Sequence, residues 1–279
     1  MHTLFIVGLG PGSMDLLTPR AQEALAASQV IVGYSTYIDL LPASLLQGKE
    51  VISTGMTKEM ARCELALRHA ANGQTVSLVC SGDPGIYALA GLALEMSAQL
   101  ASEPALPAKK GIIASARPVT YCGLEIEIIP GVPALCAASA LLGAPLGHDF
   151  ACLSLSDRLT APDLIEKRVR LALEADLALV LHNPRSRQRP DFLGKILNGA
   201  VLNGHGNLLT GVVRNASRPQ QSVNICTLSE LVRSGLEAID MFTLIIVGSS
   251  STRLVSGKMV TPRGYLEKYS LQTVRAKQF

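Results

Sequence analysis

Three glycine- and proline-bearing segments combine residues that let a ligand come close with residues that bind its polar groups. In Ser81-Gly82-Asp83-Pro84-Gly85, Gly82 allows the backbone to approach a ligand. Asp83 can accept hydrogen bonds from ribose hydroxyls or an ammonium group, and Pro84 fixes the turn. An Asp-Pro turn of no chemical consequence is the plainer alternative. Gly8-Leu9-Gly10-Pro11-Gly12-Ser13 has the outline of a dinucleotide fingerprint and departs from it. Pro11 removes a backbone donor, Ser13 stands where a third glycine is required, and no acidic residue closes a second strand at the expected distance. It reads as a tight strand-to-helix turn, or as a wall for a nucleoside-like ligand. Pro130-Gly131-Val132-Pro133-Ala134 opens a helix of small residues on which a flat ring could rest; helix–sheet packing accounts for it equally well.

Two basic segments follow later strands. Asn183-Pro184-Arg185-Ser186-Arg187-Gln188-Arg189 and Arg214-Asn215-Ala216-Ser217-Arg218 place five Arg on strand-end loops. Arg forks onto a carboxylate in a way Lys cannot copy, so a polycarboxylate ligand and a solvated basic rim both fit. No nucleophilic triad stands out: His182 adjoins a strand end without an evident Ser or Cys partner. Tyr34 and Tyr37 face either a ligand or the core edge. The five His are scattered without ligand spacing, so no metal site is expected.

These residues need elements to hold them. Short apolar runs at 4–7, 30–32, 75–80 and 125–129 alternate with helical patterns at 18–28, 58–71, 88–100 and 134–142, which indicates parallel βαβ units. A second set has strands at 151–155, 177–181, 209–213, 222–227 and 243–247, with helices at 163–175, 192–202 and 228–233. The expected domains are 1–146 with the three turns, 147–255, and a tail at 256–279. Residues 101–122, rich in Ala and Pro, read as a long connection. At 279 residues and 48% hydrophobic, the chain is long enough for about two domains and too apolar to be disordered. A net charge of +3 and 4% aromatic residues argue against nucleic-acid or membrane binding. The start lacks the features of a signal peptide. The longest uncharged stretch, 128–147, is broken by Pro130, Pro133, Gly143 and Pro145, so it does not suit a membrane span. Six Cys without a Cys-x-x-Cys pair read as reduced, buried thiols of a cytoplasmic protein.

The three turns, in this order on this pattern of strands, resemble the tetrapyrrole methylase family. Further segments narrow the resemblance to the branch that methylates carbon 17 of a precorrin: Gly33-Tyr34-Ser35-Thr36-Tyr37, Ser53-Thr54-Gly55-Met56-Thr57-Lys58-Glu59, Ile86-Tyr87 after the second turn, Leu146-Gly147-His148-Asp149-Phe150, Leu153-Ser154-Leu155-Ser156-Asp157, Asn183-Pro184-Arg185-Ser186 and Val213-Arg214-Asn215-Ala216. It runs from about residue 3 to residue 252. The resemblance implies two dissimilar α/β domains with an interdomain cleft, assembled as a homodimer. It implies S-adenosylmethionine as methyl donor, leaving S-adenosylhomocysteine, with contacts at Pro11, Ser81, Gly82, Asp83, Ile86, Pro133, Ala134, Asn183, Arg214 and Gly248. The substrate would be a ring-oxidised precorrin or its cobalt complex, in cobalamin synthesis, and the product would have a contracted ring. Candidate helpers of the contraction are Thr57, Lys58, Asp157, His182 and Arg185. Two departures stand out: Pro133 replaces a usual Ser or Thr, and His182 replaces a frequent Tyr. The competing readings are another methylase of corrin or sirohaem synthesis, a methylase of the same fold acting on RNA or protein, a nicotinamide-dependent oxidoreductase, and a non-enzymatic tetrapyrrole carrier.

Overall fold

The computed structural model describes residues 3–102, 123–185 and 191–269. Nearly all of the 101–122 connection, and Arg187 and Arg189 of the basic segment, lie outside the described residues. The elements in chain order are β1 (Thr3–Gly8), α1 (Pro19–Ala27), β2 (Val30–Tyr34), α2 (Ser35–Ile38), α3 (Ala43–Leu46), β3 (Glu50–Thr54), α4 (Glu59–Ala71), β4 (Val76–Cys80), α5 (Ala90–Ser102), β5 (Glu125–Ile129) and α6 (Ala134–Leu142). They continue with β6 (Gly143–Ala144), β7 (Phe150–Ser154), α7 (Pro162–Glu174), β8 (Ala178–His182), α8 (Phe192–Ala200), β9 (Leu209–Arg214), β10 (Ser222–Thr227), α9 (Leu228–Ser234), β11 (Thr243–Val247), β12 (Arg253–Val255), β13 (Lys258–Val260) and α10 (Tyr265–Lys268). The chain divides into two compact units, Met1–Ala134 and Leu135–Phe279, so the division falls at the start of α6.

The first unit holds a sheet of order β3-β2-β4-β1-β5 in which every pairing is parallel. Successive side chains of a strand point to opposite faces, so a doubly covered sheet needs unbroken apolar runs. Leu4 and Ile6 pack with Val30, Leu78 and the α4 residues Cys63, Ala66 and Leu67. Phe5 and Val7 pack on the other face with Ile31, Val79 and the α1 residues Ala21, Ala24 and Leu25. Pro19 opens α1, and Thr18 caps it by accepting a hydrogen bond from the Ala21 N–H. The strand β3 has no counterpart in the sequence reading. It is an edge strand with exposed Val51 and Ser53, and it exists through its register with β2.

The second unit holds a mixed sheet, unlike the first. Its sheet has the order β10-β9-β11-β8-β7; β7 and β8 are parallel, while β11 runs antiparallel to β8 and β9, and β10 antiparallel to β9. An apolar run carries no mark of strand direction, which the connections set. The reversal between β9 and β10 uses left-handed Asn215, Ser217 and Gln220. One face carries Leu179, Leu181, Ile245 and Val247 against Ile165, Val169, Leu193, Leu197 and Leu231 of α7, α8 and α9. On the other face a Cβ at Gly211 would meet the Leu142 side chain at 2.4 Å, so glycine lets α6 lie close. Part of the expected tail is ordered: β13 pairs with β12 and β6. No described helix is long and apolar enough to cross a membrane.

Candidate functional site

Parallel pairing brings the carboxyl ends of β1, β2, β3, β4 and β5 to one edge of the first sheet. All three turns lie there. The crossover from β1 through α1 passes on one face, α5 after β4 lies on the other, and β1 and β4 are neighbours. That is the switch-point geometry at which open α/β sheets bind ligands.

The turns interlock backbone to backbone. The Gly82 N–H donates to the Gly10 carbonyl at 2.7 Å and the Gly10 N–H to the Gly82 carbonyl at 3.2 Å. A Cβ at Gly131 would lie 2.2 Å from the Gly82 oxygen and 2.7 Å from the Gly8 carbonyl carbon; one at Gly8 would lie 2.5 Å from the Gly131 nitrogen. Gly10 and Gly82 have φ of +72° and +66°. Gly8 and Gly131 are therefore required by the contact of the loops with each other, and Gly10 and Gly82 by their left-handed backbone. Asp83 completes the lock: its Oδ1 accepts from the Gly85 N–H at 2.8 Å and its Oδ2 from the Gly131 N–H at 3.2 Å. Each carboxylate oxygen keeps further acceptor capacity. Pro11 is buried, and Ser81, Ile86, Pro133 and Ala134 are half-buried on the same edge. Thr57 and Lys58 stand exposed beyond the end of β3, with Thr57 in the left-handed region at φ +66°, a strained position for a β-branched residue.

Sequence reasoning missed Arg62. It sits on α4 and is only 4% exposed. Its Nε donates to Thr54 Oγ1 at 2.7 Å, its Nη2 donates to the Gly55 carbonyl at 2.9 Å, and its guanidinium lies 5.8 Å from the Tyr34 ring centroid. The available signal was an Arg on the apolar stripe Cys63, Ala66, Leu67, Ala70. Cys63 and Cys80 lie close by on the same face; burial pushes their thiols up to about 12 and about 11, so they stay protonated. Among the described cysteines, all free, Cys136 is exposed, which corrects the uniform expectation of burial.

In the second unit the carboxyl ends of β7, β8 and β9 share an edge, since Ser154 is opposite His182 and Arg214 is opposite Thr243 at the start of β11. Asp157, His182, Asn183, Arg185 and Arg214 gather there. Asn183, left-handed at φ +51°, donates from Nδ2 to Ser154 Oγ at 3.0 Å. Arg185 donates from Nη1 to the Leu236 carbonyl at 2.9 Å. Arg214 Nε pairs with Asp240 Oδ2 at 2.8 Å. Two of the three described Arg expected to face a polycarboxylate, Arg185 and Arg214, thus help to hold their own unit together. Burial pushes the His182 imidazole down to about 4, so it is neutral at pH 7. Gly248 does not join this group. It follows β11, donates its N–H to the Leu209 carbonyl, and stands at the amino ends of β8 and β9, about 16 Å of strand away from Asn183. A Cβ there would meet Thr252 Oγ1 at 2.5 Å, which accounts for the glycine by packing. Two surface depressions of about 380 and 270 Å³ in this unit are lined by none of the expected site residues.

The sequence matches the family model described as Tetrapyrrole (Corrin/Porphyrin) Methylases over residues 3–232. It is 40% identical over 262 residues to a probable cobalt-factor III C(17)-methyltransferase of Salmonella typhimurium, covering 94% of this chain and 99% of that one. It is 37% identical to a precorrin-3B C(17)-methyltransferase of Sinorhizobium sp, covering 94% and 97%. Two longer relatives are matched over 54% and 46% of their lengths. The crystal structure of the methyltransferase CobJ superposes with a TM-score of 0.82 at 34% identity, covering 94% of this chain and all of that one. With the matched region spanning all three interlocked turns and the whole of the first sheet, the chain belongs to the tetrapyrrole methylase family.

Proposed function

We propose that this chain moves a methyl group from S-adenosylmethionine to carbon 17 of precorrin-3B or cobalt-factor III, with contraction of the macrocycle, in cobalamin synthesis. The observation that carries the reading is the near-full-length match, at 40% and 37% identity, to relatives named for that one reaction. A different tetrapyrrole methylation is the second reading, because the fold is shared across the family. A nicotinamide-dependent oxidoreductase has no support in the first turn, where Pro11 and the Gly10–Gly82 pairing occupy the place of a phosphate cradle.

The residues present fit a sulfonium nucleoside. Half-buried Ser81, Asp83, Ile86, Pro133 and Ala134 line an edge where backbone polar groups and one apolar wall occur together, and Asp83 brings negative charge to it. When bound, such a donor supplies an activated methyl on a cationic sulfur. The chain's part is then alignment, which can account for most of a displacement barrier. Asp83 fixes the second and third turns relative to each other, so the wall is preformed. Of the second unit's residues, the contacts proposed are those of Asn183 and Arg214. Asp157, Thr57 and Lys58 are the polar side chains left to assist proton movement in the contraction. His182, neutral at pH 7, does not enter as an acid. Arg185 acts through the carbonyls it holds. A homodimer in the cytoplasm completes the reading, and sedimentation velocity tests the dimer.

The decisive test is incubation with methyl-labelled S-adenosylmethionine and either metal-free precorrin-3B or cobalt-factor III, followed by mass spectrometry. Gain of one labelled methyl with a contracted ring supports the proposal. Label transfer to another tetrapyrrole alone supports the second reading, and transfer to neither macrocycle overturns the first.

A further inference from the structure

We propose that Arg62 is a substrate-recognition residue whose guanidinium receives a carboxylate side arm of the macrocycle. This deepens the methylase reading and rests on it. A charge removed from water is normally paired with an opposite charge, because its desolvation is otherwise uncompensated. Arg62 is 4% exposed, yet among the described residues it makes no ion pair. Its contacts are all neutral: the Thr54 hydroxyl, the Gly55 carbonyl and the Tyr34 ring face. Those bonds use Nε and one N–H of Nη2. Nη1 bonds none of the described residues. A guanidinium fixed through Nε and Nη2, with Nη1 donors unused by the described residues, is preorganised for a carboxylate.

The surroundings favour an anion at the same place. The guanidinium lies at the carboxyl ends of β2 and β3, on the edge that carries the three turns. Lys58 is exposed there and opens α4, whose first turn has no side-chain cap. Glu59 of that turn makes no ion pair with Arg62. Of the five Arg that sequence reasoning assigned to carboxylates, Arg185 and Arg214 are engaged within the second unit.

The test compares cobalt-factor III with its methyl ester as ligands of the whole chain. Binding is measured for wild type, Arg62→Gln and Arg62→Lys, with S-adenosylhomocysteine titration and melting temperature in parallel. Wild type prefers the acid form; Arg62→Gln reduces that preference about tenfold, the size of one charge-assisted hydrogen bond. Arg62→Lys, which keeps the charge and loses the fork, reduces it about threefold and covers the case in which Arg62→Gln does not fold. Binding of S-adenosylhomocysteine is unchanged in both. An acid-to-ester ratio equal to wild type in a folded variant overturns the proposal and leaves the methylase reading standing. Failure of wild type to bind either macrocycle overturns both.

Discussion

The two strand-end edges are built differently. At the first sheet, three loops meet through backbone, with Gly8, Gly82 and Gly131 in mutual contact and Asp83 as the bridging side chain. At the second, the loops are held by side chains: Asn183 on Ser154, Arg185 on the Leu236 carbonyl, Arg214 on Asp240. An edge made from backbone tolerates no added Cβ and leaves neighbouring side chains available to a ligand. An edge made from polar side chains engages part of the hydrogen-bonding capacity of the residues that sequence reasoning reserves for the ligand.

The sharpest way to break this contrast is Gly131→Ala. The new Cβ would lie 2.2 Å from backbone oxygen that cannot rotate away, so the expected cost is about 3 kcal/mol or more in denaturant unfolding. Gly91→Ala is the matching control: nothing lies within 4 Å in α5, and the helix should gain about 0.5–1 kcal/mol. Equal effects of the two changes would dispose of the backbone lock. Next in size, Asp83→Ala removes the acceptor of two loop N–H groups and should cost about 2 kcal/mol. Affinity for S-adenosylhomocysteine should fall with it, while Asp83→Asn, keeping one acceptor, falls less. Calorimetric titration of the two variants reads the order.

His182 sharpens the contrast through pH. Its folded pKa, about 4, lies below the ordinary 6.5 because burial disfavours the imidazolium. Between those values the unfolded chain takes up a proton that the folded chain refuses, so stability rises with pH across the window and is lost as pH falls from 6.5 toward 4. With the side chain not wholly sealed, the expected loss is about 2 kcal/mol. Urea midpoints at pH 7 and 4.5 check it: His182→Gln should flatten the difference, and an undiminished difference would assign the pH dependence to other groups.

Much of the fold was legible because a doubly covered parallel sheet writes itself as unbroken apolar runs, as at Leu4–Val7 and Val76–Cys80. The turns were legible because Gly and Pro mark strand ends. Strand direction in the second unit was not, since Thr243–Val247 reads the same whether parallel or antiparallel. That reversal is what carries Gly248 to the far end of the sheet from Asn183. The ownership of Arg185 and Arg214 was equally hidden, because their partners, Leu236 and Asp240, lie 51 and 26 residues further on. Arg62 was overlooked for the opposite reason: it sits within a helical stripe where burial, a tertiary property, is what gives it meaning.

The smallest expected effect belongs to the Arg214–Asp240 pair. Burial alone would raise the Asp240 carboxyl; hydrogen bonds from Arg214, Thr243 and the Phe242 N–H outweigh it and hold the group below its ordinary value. A depressed carboxyl stabilises the fold above its unfolded value, and that contribution is lost as pH falls through the carboxylate range. Both side chains are more than a third exposed, so solvent screens most of the attraction and Asp240→Asn should cost only about 0.5–1 kcal/mol. The loss should shrink further in 1 M salt, where exposed charges are screened within about 3 Å. If Arg214 instead serves mainly a ligand, Asp240→Asn leaves denaturant stability untouched and changes S-adenosylhomocysteine affinity alone. The double change Arg214→Gln, Asp240→Asn separates these cases: an internal ion pair gives a coupling in stability, whereas a ligand-facing Arg gives additive stability effects and a coupling only in binding.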